Sequence, residues 1–336
     1  RKRGLILAAI LFLISALGSA MPEQLNFMGL STISSFIFYR ILGGIGVGLA
    51  SMLSPMYIAE IAPANIRGKL VSWNQFAIIF GMLVVYFVNY SIASKGDDAW
   101  LHQIGWRWMF VSESIPAVLF LALLMFVPET PRYLVLKDNR DRAMQILKRI
   151  NGESEAAGIL QRIAESIHLS SGSGKLFSFG SLVIIIGVLL AMFQQFVGIN
   201  VVLYYAPEIF RNMGSGTDAA LLQTIVVGII YLSFTVLAIF TVDRWGRKPF
   251  QIAGALGMAF FMIVLGFTFF LEQVNLVSLV CMLGYVACFA LSWGPVTWVL
   301  LSEIFPNRIR GRAMALAVAS MWVSNLIISL TFPVLN

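Results

Sequence analysis

Charged residues are scarce in this sequence: they form 12% of its 336 residues, about half of the share found in soluble proteins. Apolar residues form 59% and fall in blocks of roughly the length that a helix needs to cross a bilayer. The blocks cover residues 4–20, 31–59, 70–93, 107–127, 181–209, 219–241, 249–271, 276–302 and 311–334. The sequence therefore predicts an all-α polytopic membrane protein.

Cysteine and histidine are equally rare, with two residues of each. Cys281 and Cys288 lie in one apolar block, where a helix would separate them by about 10 Å, too far for a disulfide. With two histidines and no cysteine cluster, a metal site is not expected. The blocks contain no nucleophile–base pair or carboxylate pair, which argues against an enzyme. The net charge of +7 sits between the blocks and forms no basic face, which argues against nucleic-acid binding.

One long polar stretch, residues 128–178, divides the chain. Four blocks precede it in residues 1–127, and five follow it in residues 179–336. Within it, RDRAMQILKRI and AAGILQRIAESI have the spacing of short amphipathic helices. We interpret the three parts as a partial N-terminal helix bundle, a cytoplasmic linker and a partial C-terminal bundle.

Lysine and arginine are distributed unequally between the two sides of the predicted membrane. Alternate segments place nineteen of the 23 basic residues on one side. Those segments are residues 1–3, 60–69, 128–178, 242–248 and 303–312. Because basic loops stay in the cytoplasm, this distribution predicts a cytoplasmic N-terminus for the chain.

An internal repeat relates the two halves. Residues 60–69 read EIAPANIRGK, and residues 303–312 read EIFPNRIRGR. Such repeats are typical of transporters built from two similar halves. Aligning the halves leaves two blocks missing before the first and one missing after the last. We therefore interpret the blocks as helices 3–11 of a twelve-helix architecture; the alternative is a complete nine-helix protein.

Four motifs together resemble the sugar porter branch of the major facilitator superfamily. They are a glycine-rich run from Arg40 to Gly48, PETPRYL at 128–134, QQFVGINVVLYY at 194–205 and DRWGRK at 243–248. The resemblance implies two pseudo-symmetric helix bundles, with nine of twelve helices present. It also implies proton-coupled uptake of D-xylose or a glucose-like monosaccharide across the cell inner membrane by a monomer, without a cofactor. The alternatives are a facilitative hexose or pentose uniporter, a non-transporting sugar receptor and an inactive fragment.

Three amides, Gln194, Gln195 and Asn200, are the strongest ligand candidates. A regular helix would not place Gln195 and Asn200 on one face, but a break near Gly198 would turn the amides toward one cavity. Amides donate and accept hydrogen bonds, which suits the hydroxyl groups of a sugar. The alternative is hydrogen bonding between helices.

The resemblance adds further substrate candidates. It places Gln75 and Trp298 in the central sugar site, where an indole would contact a sugar ring face. Tyr204 and the adjacent Tyr205 would close the outer side, or only pack.

Three positions depart from the family pattern. Met82 and Met321 stand where glutamine is expected, and Tyr231 stands where asparagine is expected. These substitutions remove partners for sugar hydroxyls, which leaves the identity of the sugar open.

Charged candidates form two groups. The first lies at the predicted cytoplasmic helix ends and suits ion pairs that hold a gate closed, or ordinary anchoring of helix ends. Its members are Glu60, Arg67, Glu129, Arg132, Asp243, Arg247, Glu303 and Arg310. The second is Arg40 with Glu113, inside the predicted spans. Here the resemblance implies a part in proton coupling.

Overall fold

Helices form every regular element in the described part of this computed structural model. That part comprises residues 1–26, 29, 31–63, 67–170, 181–212, 216–271, 276–305 and 309–335. Within these ranges, the side chains at 67–69, 71–72, 168–170, 212, 218, 242–245, 302–303, 310–311 and 335 are outside the description.

The helices follow one another with short connections. In the first part of the chain they are α1 Lys2–Ala20, α2 Thr32–Ile61, α3 Arg67–Ala93, α4 Asp98–Trp100, a π-helix Leu101–Gly105, α5 Trp106–Ser112, α6 Ser114–Phe126, α7 Pro131–Leu136, α8 Arg140–Asn151 and α9 Glu153–Ser170. In the second part they are α10 Ser181–Phe196, α11 Ile199–Tyr204, α12 Ala206–Asn212, α13 Thr217–Trp245, α14 Arg247–Phe270, α15 Leu276–Leu291, α16 Trp293–Ile304 and α17 Arg310–Leu335.

Nine helical segments of the described residues are long and apolar enough to cross a membrane. They are Lys2–Ala20, Thr32–Ile61, Trp73–Ala93, Asp98–Phe126, Ser181–Tyr204, Ala219–Thr241, Arg247–Phe270, Leu276–Leu301 and Arg312–Val334. Each coincides with one predicted block, so the prediction of an all-α polytopic membrane protein is confirmed. Three segments combine shorter helices, which shows that apolar length alone does not reveal a break.

The chain groups into two compact units. The first unit contains residues 1–74 and 91–172, and the second contains residues 75–90 and 173–336. The middle of α3, which carries Gln75, therefore packs with the second unit. The domain boundaries drawn at residues 128 and 179 stay a prediction.

In the first unit, α1 and α2 approach each other closely. Ala8, Ala9 and Ala16 are fully buried in α1, and a Cβ added to Gly46 of α2 would lie 3.3 Å from the carbonyl oxygen of Ala8. At the other end of the interface, Gly18 lies under the ring of Tyr39, whose hydroxyl donates to the carbonyl of Leu25 at 2.6 Å. Small residues thus allow the contact between the two helices, as is common in membranes.

The polar stretch between the membrane segments has a small core of its own. Buried Leu134, Val135, Ala143 and Ile146 of α7 and α8 pack against apolar residues of α9. Side chains cap two of these helices, because Thr130 accepts from the N–H of Tyr133 and Asn139 accepts from the N–H of Arg142. Both predicted amphipathic helices are present, as α8 and α9.

The second unit has the larger apolar core. It surrounds the start of α11 and includes Phe210, Val227, Met282, Tyr285 and Phe289 from the helices that follow. A second cluster joins α10 and α17 through Ala191, Ala317 and Met321. These clusters position the polar side chains described below.

We predict that Gly18→Ala destabilises the protein, because the new Cβ would overlap the Tyr39 ring. Overpacking of this kind costs about 1–3 kcal/mol, and it should appear as a lower midpoint of thermal unfolding in detergent. Gly44→Ala is the matched control, since nothing lies within 4 Å of a Cβ at that position of α2. Equal unfolding midpoints for the two variants would contradict the close α1–α2 contact.

Candidate functional site

A break at Gly198 separates α10 from α11. Gly198 has φ +85° and ψ 14°, the left-handed conformation that favours glycine. Its N–H donates to the carbonyl of Gln195 at 2.8 Å, and its carbonyl accepts from the N–H of Val202 at 3.2 Å. The helix therefore changes direction between Gln195 and Asn200, at the position where the sequence predicts a break.

The break brings the three candidate amides into one hydrogen-bonded chain. The Nδ2 atom of Asn200 donates to Oε1 of Gln195 at 2.6 Å, and Nε2 of Gln195 donates to Oε1 of Gln194 at 3.4 Å. Gln194 in turn donates to the main-chain carbonyl of Trp293 at 3.3 Å. Gln194 and Gln195 are only 4% and 9% exposed, so solvent has little access to these two amides.

Asn325 of α17 is a member of this chain that the sequence analysis did not single out. Its Oδ1 accepts from Nδ2 of Asn200 at 3.0 Å, and its side chain is 8% exposed. The signal in the sequence was that Asn325 is an amide within the apolar block 311–334. Such a group is costly at membrane depth without a partner, so its presence predicts a hydrogen bond.

A second break lies between α15 and α16, at Ser292. Pro295 has no N–H, and its ring excludes the carbonyl of residue 291, which is where α15 ends. The Ser292 hydroxyl donates to the carbonyl of Cys288 at 2.6 Å. The dipeptide Gly294–Pro295 was the signal in the sequence for this unpredicted break.

Tyrosine hydroxyls surround the first break. Tyr285 donates to the carbonyl of Val197 at 2.5 Å, and Tyr86 donates to the carbonyl of Leu203 at 3.0 Å. Tyr205 donates to the carbonyl of Ser329 at 3.3 Å and packs on Phe332, whereas the adjacent Tyr204 is 56% exposed.

The remaining substrate candidates also lie in the second unit. Gln75 is half-buried on α3, and Trp298 packs against the cluster that contains Met321. Met82 packs against the core that contains Tyr231, which makes an edge contact with Phe289 at 6.2 Å. Met82, Met321 and Tyr231, which depart from the family pattern, therefore make apolar contacts.

Two groups of charges lie in the first unit. Arg40 and Glu113 form an ion pair at 3.7 Å, with the guanidinium 5.2 Å from the centre of the Phe110 ring. Glu60 accepts from Arg1 at 3.0 Å and from the hydroxyl of Thr130 at 2.6 Å.

Glu129 and Glu60 both accept hydrogen bonds from Thr130, Glu60 from its hydroxyl and Glu129 from its N–H. Burial by itself would raise the pKa of the Glu129 carboxyl, but the main-chain N–H groups of Lys2, at 2.9 Å, and Thr130, at 3.1 Å, hold that pKa below its usual value. Glu129 is therefore ionised at neutral pH.

Of the other predicted gate residues, two have described side chains. Arg132 and Arg247 are half-buried near the starts of α7 and α14. The side chains of Arg67, Asp243, Glu303 and Arg310 lie outside the described residues.

A family model described as "Sugar (and other) transporter" matches residues 1–336. The chain belongs to the sugar transporter family. Within that family it is 58% identical over 348 residues to the D-xylose-proton symporter of Escherichia coli K12, covering 100% of this chain and 71% of the symporter. It is 43% identical to the glucose facilitated diffusion protein of Zymomonas mobilis, covering 99% of this chain and 71% of that protein.

Solved structures of a sugar transporter match the whole chain. The proton:xylose symporter XylE bound to 6-bromo-6-deoxy-D-glucose matches with a TM-score of 0.87 and 58% identity, over 100% of this chain and 73% of that one. A partially occluded inward-open form of XylE from E. coli matches with a TM-score of 0.90 and 56% identity, over 100% and 74% of the two chains. The major facilitator fold expected from the motifs is thus confirmed.

We predict that Gly198→Ala lowers stability through the backbone alone. Nothing lies within 4 Å of a Cβ at Gly198, so the cost is that of a left-handed non-glycine residue, about 1–2 kcal/mol. The measurement is the thermal unfolding midpoint. Gly266→Ala in α14 also places a Cβ in open space, but in a helical conformation, and it should not lower the midpoint. Indistinguishable midpoints would contradict the requirement for glycine at the break.

Proposed function

We propose that this protein takes up a monosaccharide, D-xylose or a similar sugar, together with a proton. It works by alternating access in the cell inner membrane as a monomer, with Arg1 on the cytoplasmic side. The observation that carries the proposal is the buried amide chain at the Gly198 break, in a chain 58% identical to a D-xylose-proton symporter.

The hydrogen-bonding capacity of the amides suits a sugar hydroxyl. Asn200 uses both N–H donors on Gln195 and Asn325, so it offers its carbonyl oxygen as an acceptor. Gln194 and Gln195 each have two N–H donors and direct one to the protein, which leaves one on each for a ligand oxygen. A hydroxyl both donates and accepts, so one sugar can use both kinds of group.

Gln75, Trp298 and Tyr204 complete the proposed site. Gln75 supplies a further amide, and the indole of Trp298 contacts the apolar face of the sugar ring. Tyr204 ends the same short helix that carries Asn200 and covers the outer side of the sugar.

The ion pair of Arg40 and Glu113 is the proposed contribution to proton coupling. A charge inside a membrane span costs free energy unless it is paired or faces water. Charges retained there often mark ion or proton pathways. Protonation of the carboxyl removes its charge and its attraction to Arg40, so the ion pair forms or breaks with the pH of the side to which it is open.

Gate residues at the cytoplasmic helix ends would break and re-form their contacts during each cycle. Glu60 illustrates the arrangement, because a guanidinium and a hydroxyl both bind its carboxylate. The proposed set comprises Glu60, Arg67, Glu129, Arg132, Asp243, Arg247, Glu303 and Arg310.

Facilitated diffusion is the second candidate, favoured by the 43% identity to a glucose facilitated diffusion protein. Met82, Met321 and Tyr231 also leave the sugar undecided between pentose and hexose. Uptake of labelled xylose and glucose by transporter-deficient cells tests both points.

We predict that Gln194→Ala abolishes binding of the transported sugar, because it removes a ligand donor and the acceptor for Gln195. The measurement is isothermal titration calorimetry on the purified protein. Gln161→Ala is the control, since Gln161 is exposed on α9 and bonds to Glu165. Unchanged affinity in Gln194→Ala would rule out the proposed site.

We predict that a protonophore abolishes sugar uptake, and that Glu113→Gln lowers uptake toward the rate seen with the protonophore. The variant keeps the shape of the side chain but removes the charge that pairs with Arg40. Glu23→Gln is the control, because Glu23 pairs with Arg107 at 2.9 Å in the same unit. Uptake that persists with the protonophore would instead support facilitated diffusion.

A further inference from the structure

Gln251 connects α14 to the broken helix α15–α16. Its Nε2 donates to Oγ1 of Thr297 at 3.0 Å, and its main-chain carbonyl accepts from Nε1 of Trp293 at 3.0 Å. The side chain is 7% exposed. One residue of α14 thus contacts two residues of α16 that are four apart and therefore lie on one face.

The packing around these hydrogen bonds is close. A Cβ on Gly254 would overlap the Ser292 hydroxyl, and a Cβ on Gly257 would lie 2.6 Å from Sγ of Cys288. Gln251, Gly254 and Gly257 are spaced by three and lie along one side of α14. That side of α14 therefore contacts the broken helix at Cys288, at Ser292 and at the first turn of α16.

This part of α16 is connected to two residues of the proposed sugar site, Gln194 and Trp298. The main-chain carbonyl of Trp293 accepts from Gln194 at 3.3 Å. Trp298 follows Thr297 directly and packs against the cluster of α10 and α17. A shift of α16 relative to α14 would move both groups, because a short helix after a break moves as one piece.

We propose that Gln251 is a positioning residue for sugar binding: it holds α16 so that Trp298 and the amide of Gln194 face the sugar together. This inference rests on the proposed function. Gln251 does not contact the sugar; it acts through Thr297 and Trp293.

A buried glutamine could also serve stability alone, and the two roles differ in what they change. A bond that only stabilises the fold lowers the unfolding midpoint and leaves the affinity of the folded protein for sugar unaltered. A bond that positions α16 changes the affinity as well. The two replacements that remove the bond from either end should then have the same effect.

The experiment is a double-mutant cycle with Gln251→Met, Thr297→Val and the combined variant. Both replacements keep the shape of the side chain and remove the hydrogen bond. The control is Thr268→Val, which removes a bond of 2.8 Å between α14 and Ser278 of α15, far from the break. For each protein, the dissociation constants of D-xylose and glucose and the unfolding midpoint are measured in detergent.

We expect each single variant to raise the dissociation constant about 3- to 10-fold, the range that loss of one neutral hydrogen bond produces. The combined variant should bind like either single variant, because the same bond is lost. Thr268→Val should keep the affinity of the unaltered protein while its unfolding midpoint falls.

Two results would overturn the inference while leaving the proposed function intact. Unchanged affinity in Gln251→Met and Thr297→Val, with a fall in midpoint like that of Thr268→Val, would assign the bond to stability alone. Additive losses of affinity in the combined variant would show that the two residues act separately. Failure of the unaltered protein to bind either sugar would overturn the proposed function, and this inference with it.

Discussion

Backbone hydrogen bonding in lipid is the constraint on which the rest of the structure depends. A broken helix at membrane depth exposes N–H and C=O groups that have no water to bond to, so neighbouring groups must satisfy them. At the Gly198 break, the hydroxyls of Tyr285 and Tyr86 bind the carbonyls of Val197 and Leu203. At the Ser292 break, a side-chain hydroxyl binds the carbonyl of Cys288. Tyrosine and serine hydroxyls of the second unit therefore lie where the helices are broken.

Each break serves the site because it turns side chains that a regular helix would separate. Gln195 and Asn200 bond to each other only because α11 starts in a new direction. The Trp293 carbonyl accepts a hydrogen bond from Gln194 because a new helix, α16, begins at Trp293 after the break at Ser292. In the first unit, by contrast, the candidate residues are charged, and their partners are opposite charges, a ring face, the Thr130 hydroxyl and main-chain N–H groups. The amide candidates therefore lie in the second unit, and the described ion pairs of the candidate residues lie in the first.

Much of this arrangement follows from the sequence, and the exceptions have a physical cause. Apolar length identifies the membrane segments because a spanning helix must match the thickness of the hydrocarbon. The Gly198 break is predictable because a glycine stands between amides that a regular helix would keep apart. The partners of Asn325 and Gln251 are not predictable, because Asn200 and Thr297 lie on other helices. Sequence spacing within one helix contains no information about such contacts.

The small core shared by α7, α8 and α9 has a consequence for biosynthesis. These helices bury Leu134, Ala143 and Ile146 largely against one another, so they need no lipid to become compact. The ribosome completes them after the membrane segment Asp98–Phe126 and before the membrane segment Ser181–Tyr204. The nascent chain therefore contains a segment with its own small apolar core between two rounds of membrane insertion.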